Sequence, residues 1–232
     1  IKGNFDFGVN YIGNYIPKEN DPVDDKKRIL DRDFAESVKN NIHGKPSIIL
    51  RATTESKKTP PPLPYNLLTL QSDASRKFGY KPDQVKSITQ ELREKYQLIT
   101  YNRSDYEYLN EEMHDDAPAV LSAISQNSNL FKNVVLNANP SIKSRAFNSD
   151  KVSAHHAIIP TQSTYDVNML KEELKNVYFL IARAYIAQFY PKYEYEETTI
   201  ITECSGHQFK TISNVPKTWG WKTLYKNDVG ND

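Results

Sequence analysis

Disulfide chemistry is all but absent from this sequence, whose 232 residues include one cysteine, Cys204. A single cysteine excludes any internal disulfide, so stability must come from packing. A chain of this length can hold one large or two modest hydrophobic cores, and two is the better fit. Long apolar runs are missing too: none approaches the ~20 residues of a membrane span. No charged-then-apolar leader with a small-residue cleavage site opens the chain, so cytoplasmic residence is expected. Excess charge is also lacking, with 30 Lys and Arg against 29 Asp and Glu for a net charge of +1. That balance excludes a polybasic, histone-like mode of nucleic-acid binding. What remains, 38% hydrophobic and 25% charged residues, is the composition of a soluble globular protein. The chain opens at Ile1 and closes at Gly230-Asn231-Asp232, and it is expected to be part of something larger.

The even balance conceals a local bias. Between Lys57 and Arg103 stand Lys57, Lys58, Arg76, Lys77, Lys81, Lys86, Arg93, Lys95 and Arg103, against Asp73, Asp83, Glu91 and Glu94. Such a face can meet phosphates, and it can equally be a solvated helix surface, the commoner origin of such a bias.

Periodicity gives an order of β, then α, then β. Phe5, Phe7, Val9 and Tyr11 alternate with Asp6, Gly8 and Asn10 as a half-buried strand does. Residues 18–36 read as a loop with a short helix, and Ser47 to Thr53 as a second strand. Thr59-Pro60-Pro61-Pro62-Leu63-Pro64 cannot lie inside a helix or central strand, because prolines fix φ and remove amide donors; it reads as a connector between domains. Leu67, Leu70, Ala74 and Phe78 then repeat at helical spacing up to Gly79, and a second helix starts near Pro82 with Val85, Ile88 and Leu92 on one face. A third helix is expected over Glu111 to Ile124, a long loop from Leu130 to Ser149, and a strong helix from Val167 to Tyr190 with Leu170, Leu174, Val177, Ile181 and Tyr185 in one stripe. Tyr193 to Glu196, Thr198 to Thr202 and Phe209 to Ile212 return to strand character, with a turn at Gly206. The reading is an α+β, multi-domain chain: a discontinuous β domain (1–61 and 186–232) and an inserted, mainly helical domain (62–185), with paired crossings that allow a rigid-body swing.

The run Leu98-Ile99-Thr100-Tyr101-Asn102-Arg103-Ser104-Asp105 carries the chemistry. A phenol is a weak nucleophile at neutral pH and needs a cation to stabilise its oxyanion and the phosphate it attacks. Arg103, two residues on, can supply that charge. Taken alone, the pair is more commonly a half-buried aromatic with a solvated neighbour. His155-His156 taken alone are loop histidines, because adjacent residues on a regular element point apart and no third ligand stands at zinc spacing. Asp24-Asp25 and Asp115-Asp116 read as solvated surface pairs.

Pro62-Leu63-Pro64-Tyr65, Leu70-Gln71, Gln90, Leu98 to Asp105 and Ala154-His155-His156-Ala157-Ile158-Ile159-Pro160-Thr161 are, as an ordered set, highly specific. Together they resemble the central part of type IA DNA topoisomerases, nearest the topoisomerase III branch, over essentially the whole chain. Gly220-Trp221-Lys222 resembles the end of that family's β domain. The resemblance implies that Tyr101 is the nucleophile, that Arg103 and His155 are its catalytic partners at the phosphate, and that Ser104, Asp105, Gln71, Gln90 and His156 contact DNA. It implies a β domain forming part of a toroid arch. It also implies a reversible 5′-phosphotyrosine link to single-stranded DNA and ATP-independent strand passage, with relaxation or decatenation as the outcome. Asn102 stands where proline is usual in that branch and Arg93 where an aromatic is common; altered local stiffness, not altered chemistry, is expected from both.

The same resemblance implies what this chain does not supply. Mg²⁺ is expected in the complete enzyme through an acidic Toprim domain, and single strands through a further binding domain, both from sequence outside these residues. No cofactor or metal is expected in this chain, no membrane contact, and a monomer is the expected state. The competing reading is a single-stranded DNA-binding module that grips through basic residues and aromatics without chemistry. The blandest is a structural β domain with a helical insertion.

Overall fold

The computed structural model describes residues 1–231, which fall into two compact units. The first comprises Ile1–Lys58 and Glu194–Lys217. Its opening strand signal is a hairpin, β1 (Lys2–Asp6) and β2 (Asn10–Tyr15), paired antiparallel with Phe5 opposite Tyr11. The alternation continues through the turn and so hides it. Gly8 makes the reversal at φ +82°, a left-handed conformation that side chains resist, and its N–H donates to the Asp6 carboxylate. Strands β3 (Ser47–Thr59), β4 (Tyr193–Cys204) and β5 (His207–Thr218) complete a five-stranded sheet in the order β1-β2-β5-β4-β3.

Helix α1 (Arg32–Ile42) is capped by the Asp31 side chain, which accepts from the Phe34 N–H. Val38, Phe34 and Ile42 of α1 pack on Phe5, Tyr15, Cys204 and Phe209. Phe209 lies 5.2 Å from Phe5 and 5.6 Å from Tyr15, ring to ring, in edge-on contacts. Away from that small core the strands are held across their surface, by Thr54 to Thr198 at 2.9 Å and by ion pairs Lys57–Glu197, Lys58–Glu194 and Lys217–Glu196.

The second unit comprises Thr59–Tyr193 and Thr218–Asp232. Helices α2 (Leu67–Phe78) and α3 (Pro82–Glu94) arise where the 3.6-residue spacing placed them. The Asn66 cap of α2 forms a reciprocal box with Thr69. Where one helix was expected over Glu111 to Ile124, a 3₁₀ turn (Glu111–His114) precedes α4 (Ala117–Asn127), with Pro118 in the first turn of α4. The stretch expected to be a long loop begins instead as α5 (Asn129–Leu136), capped by Ser128, because Phe131 is buried and Val134 and Val135 pack on the core. The last helix is shorter than its stripe: a 3₁₀ turn (Val167–Met169) precedes α6 (Glu172–Ala187). Leu174, Val177, Tyr178, Ile181 and Tyr185 of α6 are all 1% exposed or less and form the centre of this unit, with α2 and α3 packed on α6.

Residues 218–231, expected to belong with the β strands, group with the helical unit. The Trp221 indole N–H donates to the Thr59 carbonyl at 2.9 Å, and the backbone at Gly220 approaches so closely that a Cβ would lie 2.2 Å from the Pro191 carbonyl oxygen. The units divide at Lys58/Thr59 and Tyr193/Glu194, where residues 61/62 and 185/186 were expected. The α+β class stands. Among the described residues no helix is long and apolar enough to cross a membrane.

Candidate functional site

The motifs singled out in the sequence meet within the second unit. Leu98 and Ile99 are 1% and 2% exposed and anchor the tyrosine run in the core. Gln97, at φ +57°, reverses the chain after α3, so that the Leu98 N–H donates back to the Leu92 carbonyl at 2.9 Å. The run then pairs with the segment carrying the histidines. Ile99 bridges Pro160, the Thr100 N–H donates to the Ile159 carbonyl at 2.9 Å, and the Thr161 N–H donates to the Leu98 carbonyl at 3.1 Å. Thr100 fastens the pairing with its hydroxyl, which accepts from the Ile159 N–H at 3.0 Å and reaches the Ala157 carbonyl at 3.3 Å. On its other side the histidine segment is tied to the proline-rich motif: Tyr65 bridges Ile158, whose N–H donates to the Tyr65 carbonyl at 2.8 Å.

These ladders leave the phenol of Tyr101 stacked against the imidazole of His155, with ring centroids 4.3 Å apart and planes inclined by 29°. Tyr101 is half-buried and His155 exposed. The guanidinium carbon of Arg93 lies 4.8 Å from the centroid of the same phenol ring. Helix α3 therefore grips the tyrosine run at three successive residues. Arg93 covers Tyr101, the Thr89 hydroxyl accepts from the Asn102 side-chain amide at 3.3 Å, and the Gln90 side-chain oxygen accepts from Arg103 at 3.4 Å. Asn102 is 1% exposed, so its amide is a buried strut to the helix.

The other expected site residues divide. Arg103 is exposed, reached by Gln90, and Asp105 is exposed as well. Ser104 is 1% exposed; its hydroxyl accepts from the Tyr106 N–H and its carbonyl from the Leu67 N–H, which makes it a turn-forming residue. Gln71 donates to the Pro82 carbonyl at 3.1 Å and links α2 to the start of α3. His156 is half-buried, with Nδ1 2.8 Å from the Ala157 carbonyl oxygen. Arg93 is the site neighbour that sequence reasoning left aside as a matter of stiffness. Its signal was a cation in the last turn of α3 followed by a tight reversal.

No three His, Cys, Asp or Glu side chains converge as a metal site among the described residues. Asp24 is engaged by Arg28, whose hydrogen bond holds its carboxyl below the usual range, and Asp115 and Asp116 are exposed. What the arrangement offers is a phenol ring flanked by an imidazole and a guanidinium, with a second guanidinium two residues along the chain.

Comparison with known proteins shows the family. Residues 6–232 match a family model described as DNA topoisomerase. The chain is 38% identical over 201 residues to DNA topoisomerase 3 of Vibrio cholerae, covering 87% of this chain and 31% of that protein. It is 39% identical over 207 residues to DNA topoisomerase 3 of Haemophilus influenzae, covering 88% and 31%. The chain thus spans about a third of the length of these relatives. In fold it is similar to full-length topoisomerase I of Thermotoga maritima, with a TM-score of 0.64 at 22% identity over 93% of this chain and 34% of the other.

Proposed function

Because this chain belongs to the DNA topoisomerase family, we propose that it carries the nucleophile of a type IA enzyme of the topoisomerase III kind. Tyr101 Oη attacks a phosphodiester of single-stranded DNA: the bond from phosphorus to Oη forms, the bond to the 3′ oxygen breaks, and that oxygen takes up a proton as the leaving 3′-hydroxyl. The downstream strand is held as a 5′-phosphotyrosine. Rejoining reverses each transfer, so the ester conserves the bond energy and no ATP is needed. Phenolate leaves more readily than an alkoxide, which suits tyrosine to a reversible link. His155 and Arg103 neutralise the charge that builds on the phosphoryl oxygens, the contribution that usually dominates in such sites.

The observation that carries this reading is the stack of Tyr101 on His155 at 4.3 Å. Asp105, Gln90 and His156 lie on the same loop and helix turns and take part in holding the strand, while Ser104 and Gln71 act by fixing the turn and the pairing of α2 with α3. The helical unit serves as the moving part that carries the cleaved end. Relaxation or decatenation then belongs to a longer, cytoplasmic and monomeric polypeptide, in which a Toprim domain supplies Mg²⁺ and another domain binds single strands.

Two experiments test this. Peptide mapping of the denatured complex between the complete polypeptide and an oligonucleotide places the modification on the peptide containing Tyr101; a modified serine or a different tyrosine contradicts the assignment. The chain of residues 1–232 alone, given Mg²⁺ and a single-stranded oligonucleotide, forms no covalent adduct; an adduct overturns the division of labour. Binding without any adduct in the complete polypeptide favours a module that grips DNA without chemistry.

A further inference from the structure

We propose that Arg93 is a positioning residue for Tyr101 that also stabilises charge on its oxygen, a second guanidinium of the nucleophile site. The inference rests on the reading of Tyr101 as nucleophile. Arg93 occupies the last turn of α3, where a cation is favoured by the partial negative charge of a helix C-terminus. It is half-buried, and its guanidinium carbon is 4.8 Å from the phenol centroid. Carboxylates nearby are engaged elsewhere: Glu91 pairs with Lys95 at 3.1 Å, and Glu94 accepts from the Gln90 amide at 3.2 Å. No ion pair of Arg93 occurs among the described residues. Its charge is therefore directed at the ring of Tyr101.

A guanidinium over an aromatic face is attracted to the ring and limits its rotation. The attraction strengthens as the phenol oxygen gains negative charge. That happens in rejoining, when the 3′-hydroxyl oxygen bonds to phosphorus, the bond to Oη breaks with its electron pair left on Oη, and the hydroxyl proton is finally taken up there. Cleavage runs the same path backwards, so one contact lowers both barriers. Gln90, three residues earlier on the same helix face, accepts from Arg103. One helical turn thereby sets both the nucleophile and the cation beside it.

The test uses the complete polypeptide with a single-stranded oligonucleotide and Mg²⁺, comparing Arg93→Met, Arg93→Lys and Tyr101→Phe. Arg93→Met is expected to slow both cleavage and rejoining by about 10-fold, the size of effect that loss of one cation–π contact produces. Oligonucleotide affinity and the thermal midpoint stay unchanged, and Arg93→Lys restores most of the rate. Replacing Tyr101 with a ring-fluorinated tyrosine, whose oxygen bears negative charge more easily, is expected to shrink the Arg93→Met defect. Wild-type rates in Arg93→Met, or equal losses in the Met and Lys variants that fluorination does not reduce, overturn the proposal. Should Arg93→Met fail to fold, Arg93→Gln takes its place, and wild-type rates of cleavage and rejoining in Arg93→Gln overturn the proposal likewise. An adduct that persists in Tyr101→Phe refutes the underlying reading; its loss, with Arg93→Met behaving as wild type, refutes this inference alone.

Discussion

The imidazole of His155 and the phenol of Tyr101 stack at 4.3 Å although they come from distant parts of the chain. Their meeting depends on the short ladder in which Ile99 bridges Pro160, and under the proposed function His155 faces the phosphate that Tyr101 attacks. His155→Ala in the complete polypeptide is expected to lower covalent adduct formation by about 10²-fold, as loss of a charge-stabilising donor does. Because His155 is exposed, its loss leaves the thermal midpoint of the 1–232 chain nearly unchanged. Measured rates of adduct formation beside a melting curve check both halves.

Thr100 holds that ladder through a hydroxyl that serves the Ile159 N–H and the Ala157 carbonyl. Thr100→Val keeps the shape and strands a buried N–H, which costs about 1–3 kcal/mol. Urea unfolding of the 1–232 chain measures that loss, and the same substitution in the complete polypeptide is expected to slow adduct formation because the two rings lose their common frame.

Leu98 fixes the run to the core at 1% exposure. Leu98→Ala removes buried methyl groups and opens a cavity, a change that costs about 2–5 kcal/mol. The unfolding transition of the helical unit, followed by circular dichroism, should shift accordingly, and a shift near zero contradicts the packing described.

Buried tyrosines set an upper pH limit. Burial, followed by a hydrogen bond to Asp21, raises Tyr15 to about 12, and burial raises Tyr178 to about 12. Burial also pushes Tyr65 and Tyr185 upward. Each ionises more readily in the unfolded chain, near ~10, so the stability they represent is intact below that pH and is lost as pH rises towards 12. Thermal midpoints measured from pH 8 to 12 should hold to about pH 10 and then fall, with tyrosinate absorbance appearing alongside unfolding.

Much of the helical unit was legible because Leu70, Ala74, Val85, Ile88 and Leu92 repeat at the helical period and are buried as that period requires. The hairpin at Gly8 was not, since apolar alternation runs unbroken through the turn. Nor was α5, whose Asn and Ser neighbours resemble loop composition although Phe131, Val134 and Val135 face the core. At the site, Tyr101, Arg103 and His155 were legible as members of an ordered motif set. Their geometry was not, because it is made by non-local pairing. Arg93 was passed over because its contact with Tyr101 depends on the chain reversing at Gln97, and the burial of Ser104 is invisible in a motif.

The most direct test of the account is covalent trapping on a 3′-labelled single-stranded oligonucleotide with the complete polypeptide, wild type against Tyr101→Phe. A denaturant-resistant labelled adduct is expected in the wild type and none in Tyr101→Phe, with oligonucleotide affinity retained. An adduct of wild-type yield in Tyr101→Phe would contradict it.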